Sequence, residues 1–379
     1  MLSTQRLAAI AAAIVVSGVS SSAAAQTQDF TVDCTKGQTI TAALQLGDSR
    51  KPTVLNVKGT CNEAVTITRD DVTILGVAGA SVKAPSASQA TLTIRAPRVY
   101  VDGLSIIGGA FGINVLHALD VVIDKVVIQG ARESGVNLIA GHARILNSTI
   151  QNNGAHGITL LQATALANNN QILSNGSSGV YLGGKSAIQA ANNTISSNGA
   201  SGVSINAGSY GLLQDNTISA NGANAALMRF GIFVNQSSAE ILGGSISSHA
   251  GLGVAASLSS VQITATAITG NGGGVQGYLA SIFTIGGAMI TSNAGDGVWL
   301  DTNSTAQVAS STITNNGDHG IKLLFGSKLK MTPPATVVGG NSGYGLWCGD
   351  AESSVFGTNL MNFSPPNTAG GVAPGCTGF

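Results

Sequence analysis

Apolar residues in this chain come in short alternating runs that return at a nearly constant distance. "TIQNNGAHGITL" (149–160), "QILSNGSSGVYL" (171–182), "TISSNGASGVSI" (194–205), "MITSNAGDGVWL" (289–300) and "TITNNGDHGIKL" (312–323) share one pattern: Ile, then Asn, then Gly-[Val/Ile]-x-[Leu/Ile]. The anchoring glycines are Gly112, Gly135, Gly157, Gly179, Gly202, Gly231, Gly253, Gly274, Gly297, Gly320 and Gly345, separated by 23, 22, 22, 23, 29, 22, 21, 23, 23 and 25 residues. A repeat of this length means a solenoid, in which no unit buries its apolar side without its neighbours.

The residues after each glycine alternate, as in Val298-Trp299-Leu300, which is strand periodicity. Seven residues before most anchors stands a second apolar column: Ile128, Ile150, Ile172, Ile195, Ile246, Ile290, Ile313 and Val338. Five residues earlier is a third, including Ile123, Ile145, Ile241, Ile285 and Val308. No segment between them is long enough for a helix, and Gly, Asn, Ser and Thr replace the helix formers. Three strands in about 22 residues predict an all-β, right-handed parallel β-helix of about 11–13 coils, rising about 4.8 Å per coil. Asn153, Asn175, Asn198, Asn293, Asn316 and Asn341 each precede an anchor by four residues. They predict a corner ladder of stacked amides, with Asn in the left-handed conformation.

Composition narrows the class. The chain has 51 Gly, 44% hydrophobic, 9% charged and 4% aromatic residues and a formal net charge of zero. That excludes a disordered chain, and it argues against a nucleic-acid partner, which needs a basic field. Met1 to Ala25 has one early cation, Arg6, an apolar run from Leu7 to Val16 and small residues up to Ala25. This is the layout of a signal peptide cleaved near Ala25, and the run is too short for a membrane span. The expectation is a secreted or periplasmic monomer without a transmembrane segment. It has one domain, residues 26–379, with an N-terminal cap at 30–62, regular coils at 99–347 and a C-terminal cap at 348–379.

Candidate chemistry lies on the strand after each anchor. Its middle position should face solvent, and the column reads Asn114, Asn137, Thr159, Tyr181, Ser204, Phe233, Ala255, Gln276, Trp299, Lys322 and Trp347. Tyr181, Phe233, Trp299 and Trp347 would form an aromatic stripe suited to the apolar faces of sugars. Beside it lie Asp296, Asp301, Asp318, His319 and Lys322. Asp296 and His319 both immediately precede an anchor, so they should stack one coil apart as an acid/base couple. The plain alternative is a solvated polar turn. A second cluster, Arg132, Glu133, Asn137 and His156, lacks aromatic neighbours, and His117 and His142 follow their own strands. The insertion "GANAALMRF" (222–230) fills the 29-residue interval and should form a loop on the binding face.

On these repeats the chain resembles the right-handed β-helix repeat proteins of the pectate-lyase-like superfamily, over nearly all of the chain from Phe30. The resemblance implies the fold. For activity it implies a range, since the superfamily includes lyases, hydrolases, epimerases, esterases and non-catalytic rods. Calcium-dependent pectate lyases hold metal with acidic side chains and use Arg or Lys as base. Here Asp296, Asp301 and Asp318, with Lys322, come nearest. The Asn-Thr-Asp, Asp-Asp and Gly-His-Gly signature of polygalacturonases and the Asp-Pro-His-Asp of alginate epimerases are absent. The reading is therefore a glycan-binding or surface-scaffold protein, with a polysaccharide lyase or hydrolase as alternative. No cofactor or metal is expected, and Ca²⁺ enters only under the enzyme reading.

Four cysteines lie near the ends, and in an exported protein an even count reads as disulfides. Three pairings exist. Because a rod separates the two groups, Cys34–Cys61 and Cys348–Cys376 are expected. "GQTITAALQLG" (37–47) predicts a short capping helix with Ile40, Ala43 and Leu44 inward. Phe356, Leu360 and Phe363 are expected over the last coil.

Overall fold

The structure, a computed structural model, describes residues 26–77, 79–224 and 226–376. The signal-peptide reading of residues 1–25 lies outside them. Among the described residues the chain winds through about fifteen turns of three parallel sheets. The first sheet has 15 strands, from Gln28–Asp33 to Ser354–Phe356. The second and third have 14 each, running from Thr60–Asn62 to Met361–Asn362 and from Val65–Ile67 to Gly370–Val372. Each turn visits the sheets in that order, and each strand pairs in parallel with its equivalents one turn before and after. The molecule is a right-handed parallel β-helix, the hand that parallel crossovers take. The turns beyond the eleven anchored ones lack the glycine signature, as in Val65–Ile67 and Leu92–Ile94.

All three apolar columns point inward and form one continuous core: Ile123 and Ile145 from the first sheet, Ile128 and Ile150 from the second, Val136 and Leu138 from the third. Each fully buried Ile or Val contributes about 1.5–3 kcal/mol. The anchor glycines are required by space. A Cβ on Gly179 would lie 2.5 Å from Ile195 Cγ2 and 2.8 Å from the carbonyl oxygen of Gly202.

The asparagine ladder is present and longer than the sequence showed. Asn153, Asn175, Asn198 and Asn221 are linked Nδ2 to Oδ1 at 2.8–3.0 Å. Asn271, Asn293, Asn316, Asn341 and Asn367 continue it at 2.8–3.0 Å. Between the two runs His249 takes the place of an amide. Its Nδ1 accepts from the Asn221 N–H at 3.0 Å, and its Nε2 lies 3.1 Å from the Ile218 carbonyl. The left-handed residue is one position earlier than expected: Asn152, Ser174, Ser197, Ser292 and Asn315 have φ of 53 to 58°, and the ladder residues themselves do not. The turn is thus made by the preceding residue, leaving the amide free to bond along the stack. A second ladder, Asn170–Asn193–Asn216, runs at 2.9–3.0 Å.

At the N-terminal end a helix at Ile40–Ala43 turns Ile40, Ala43 and Leu44 onto the first coil. Glu63 accepts from the N–H groups of Ile40 and Thr41 at 2.7 and 3.0 Å. At the other end Leu360 and Phe363 pack against the core, whereas Phe356 is 55% exposed. Phe356 alternates with buried Val355 on its strand and therefore faces away from the core, not over it. Both expected disulfides are formed, Cys34–Cys61 and Cys348–Cys376.

Candidate functional site

The middle column of the third sheet points away from the core, but it is not an open stripe. Asn137, Thr159, Ser204, Ala255 and Gln276 are buried, while Tyr181, Phe233, Trp299, Lys322 and Trp347 are half-buried. At four coils the last side chain of the turn before the anchor glycine leans onto the column residue one turn further on. Ser134 Oγ meets Thr159 Oγ1 at 2.8 Å, and the His156 ring stacks on Tyr181 with centroids 4.8 Å apart. Asp296 reaches Lys322, and His319 stacks on Trp347. These turns form a wall along one side of the sheet.

The register Trp299↔Lys322↔Trp347 places three side chains of consecutive coils in one line. The Lys322 ammonium lies 4.6 Å from the centroid of the Trp299 ring and 5.5 Å from that of Trp347, within cation–π reach of both. Its Nζ is also 3.4 Å from Asp296 Oδ2. Asp296, whose side chain is only 8% exposed, uses Oδ1 to accept the His319 N–H at 3.1 Å. Burial pushes its carboxyl above the ordinary range and Lys322 pulls it back, while neighbouring Asp318 adds to the rise.

The expected Asp296–His319 side-chain couple does not form. Asp296 bonds the backbone of His319, and the ring meets Trp347 at 5.1 Å and 1° instead. His319 Nδ1 accepts the Tyr344 N–H at 3.0 Å, and Nε2 lies 3.4 Å from Asp318 Oδ1. With Nδ1 occupied as acceptor, the proton of the neutral ring belongs on Nε2, directed at Asp318.

Asp301 stands at the far end of the Trp299 strand, accepts from the Thr302 hydroxyl at 2.8 Å and is separate from Asp296 and Asp318. Its charge adds to the burial that raises the Tyr278 phenol. Tyr181 and Phe233 also lie apart, five and three coils from Trp299 in the register, on the order of 24 and 14 Å along the axis. Phe233 packs with Phe230 of the insertion at 5.5 Å. The second polar cluster does not converge: Arg132 pairs with Glu133 at 2.6 Å, and Asn137 donates to Asn114 at 2.9 Å. His156 accepts the Ser178 N–H at 3.2 Å.

The structure adds Tyr278, 6.4 Å from Trp299, and Tyr344, 6.1 Å from His319. Both were readable: Tyr278 shares the outward parity of Gln276, and Tyr344 stands in the pre-anchor column. Gln276 Nε2 and Trp299 Nε1, one coil apart, are buried donors without a partner. A cavity of about 110 Å³ beside Trp299 is bounded by Gly273, Val275, Asp296 and Trp299.

Oxygens of Asp296 and Asp318 and a ring nitrogen of His319 lie within 4.8 Å of one another, close enough to be tested as a metal site. They fit one poorly. Both Asp296 oxygens are engaged, and His319 Nε2 carries the proton that its lone pair would have to replace.

Residues 224–360 match the family model described as right handed beta helix region, and residues 61–228 match that of periplasmic copper-binding protein (NosD). No curated protein is similar to the chain in sequence. Among solved structures, the A-module of the mannuronan C-5 epimerase AlgE6 of Azotobacter vinelandii is 16% identical, with a TM-score of 0.50 over 90% of this chain and 94% of that one. The catalytic domain of a GH87 α-1,3-glucanase in complex with nigerose is 14% identical, with a TM-score of 0.51 over 83% and 65%. The pre-mature gene product 12 of bacteriophage phi29 is 11% identical, with a TM-score of 0.53 over 84% and 54%. At such identities the likeness is one of fold, and the fold is the right-handed parallel β-helix.

The copper named by the second family finds no matching ligand set. Among the described residues of 61–228, His117, His142 and His156 do not gather, and Cys61 and Glu63 come together only with Cys34, which lies outside the match and is joined to Cys61 in a disulfide.

Proposed function

We propose that the protein is an extracytoplasmic β-helix that binds a polysaccharide on its third sheet, at the coils of Gly297, Gly320 and Gly345. One observation carries the reading: Trp299, Lys322 and Trp347 are aligned over three consecutive coils, with Asp296, Asp318 and His319 against them. Indole edges offer apolar surface to a sugar ring. Asp318, half-exposed at the rim of the cluster, offers an acceptor to its hydroxyls. The ring faces turned toward Lys322 and His319 are already used, so a glycan would cross the edges of the cluster. Two disulfides and the match to a family of periplasmic proteins support placement in an oxidising compartment. Among the described residues no helix is long and apolar enough to cross a membrane.

Affinity electrophoresis against a panel of soluble glycans tests this. Trp347→Ala should weaken the retarding glycan about tenfold, an aromatic contact of about 1.4 kcal/mol. Unchanged retardation, with an unchanged unfolding midpoint, would remove the reading.

A second reading is favoured by the raised carboxyl of Asp296 beside Asp318. In it, the Asp296 and Asp318 carboxyls serve as the acid and base of hydrolysis: one gives a proton to the departing glycosidic oxygen while the other takes a proton from the water that adds to the anomeric carbon. New reducing ends or unsaturated products from a bound glycan, abolished in Asp296→Asn, would establish it.

A further inference from the structure

The N-terminal end of the third sheet holds a concentration of arginine that the proposed glycan site does not use. A cavity of about 600 Å³ is lined by Thr66, Thr68, Arg50, Arg69 and Arg98, with Asp70 and Asp71. A neighbouring one of about 310 Å³ is lined by Arg95, Leu116 and His117. The pairings Ile67↔Ile94 and Ile94↔Val115 set Thr68, Arg95 and Leu116 side by side on successive coils, so the two cavities adjoin.

The charges in this cleft do not cancel. Arg98 is held by Asp71 at 2.6 and 3.0 Å and by Asp70 at 3.2 Å, which satisfies both carboxylates. Arg69 clamps the preceding loop through the carbonyls of Leu46, Asp48 and Lys51, and its buried Nε–H has no partner. Among the described residues the side chains of Arg50 and Arg95 make no hydrogen bond or ion pair. Four guanidinium groups thus face two carboxylates in a chain whose formal net charge is zero.

We propose that this cleft is a second binding site, for a carboxylate or sulfate group carried on a polysaccharide. Planar guanidinium forks match anions that present two oxygens, and the Thr66 and Thr68 hydroxyls supply neutral donors beside them. A polyphosphate is the weaker fit, because a nucleic acid needs an extended basic surface and this cleft offers two free arginines. The cleft lies nine coils from Trp299, on the order of 40 Å along the axis, so the two sites act on separate stretches of any polymer.

The test is affinity electrophoresis of the full chain at fixed salt against dextran sulfate, polygalacturonate, unmodified dextran and duplex DNA. Dextran sulfate or polygalacturonate should retard the protein, and which of them does so identifies the anion. Arg50→Ala/Arg95→Ala should weaken that retardation at least tenfold. Lys328→Ala/Lys330→Ala, which removes the same charge from exposed positions on the first sheet, should leave it unchanged. The proposal is overturned if neither anionic polymer binds, if both double variants lose affinity equally, or if duplex DNA binds as tightly as the better polysaccharide.

Discussion

His249 shows how one side chain serves a repeat designed for another. Its acceptor at Nδ1 and donor at Nε2 reproduce the oxygen and nitrogen of an asparagine amide. That requires a neutral ring, and burial accordingly holds its pKa below the ordinary 6.5. The sign follows: the unfolded chain takes up a proton at a higher pH than the folded one, so stability is full above 6.5 and falls as the pH drops toward the folded value. His249→Asn should reduce this acid-induced loss, read from urea midpoints between pH 7 and pH 5. His156, depressed by burial in the same way, leaves a residual slope. At the candidate site, Lys322 lowers the Asp296 carboxyl against its burial, so Lys322→Met should raise that pKa further, as carboxyl ¹³C shifts would report. A falling value would mean that Asp296 answers to another group. Neither residue's environment was legible in the chain. The Asp-Gly and His-Gly pairs revealed a shared column, but the side-chain direction depends on a turn that leans one rung onward, and spacing alone predicts a vertical contact.

At the level of strands and turns, the period exposed almost everything inward. Ile128, Ile150, Val298 and Leu300 were placed correctly because burial is dictated by alternation and by the recurrence of 22–23 residues. What the sequence concealed is the outward surface. Gln276 and Ala255 alternate as solvent-facing positions do, yet both are buried. Left-handed corners at Ser174 and Ser197 carried no signal because neither Gly nor Asn occupies them. Two outcomes follow. Asn198→Ala removes the acceptor for the Asn175 backbone and side-chain N–H groups and leaves both buried, so it should cost about 2–4 kcal/mol by chemical denaturation. Gly179→Ala forces a methyl against the Ile195 side chain and the Gly202 carbonyl, and should lower the midpoint at least as much. A neutral result at Gly179 would show that the coils separate easily there.

Across the whole rod, stability is a sum over neighbouring turns, so the ends are where it is weakest. The helix at Ile40–Ala43, Glu63 and the Cys34–Cys61 bond close one end, and Cys348–Cys376 ties down the other. Cys34→Ser/Cys61→Ser should cost about 3 kcal/mol, with hydrogen exchange rising first in residues 28–67. Exchange rising evenly along the chain would instead mark the molecule as one cooperative unit. The capping helix was legible because its apolar positions follow helical spacing. The outward Phe356 was not, since a bulky aromatic beside a terminus reads as a lid. The 29-residue interval before Gly231 carries a wider consequence. Six extra residues there leave the pairing of Val203 with Ile232, and of Ser204 with Phe233, in step with the coils on either side. Length is therefore modular in this architecture: a complete turn inserted between the arginine cleft and the tryptophan cluster would move them apart by one strand spacing without altering either, so the molecule carries its own adjustable ruler.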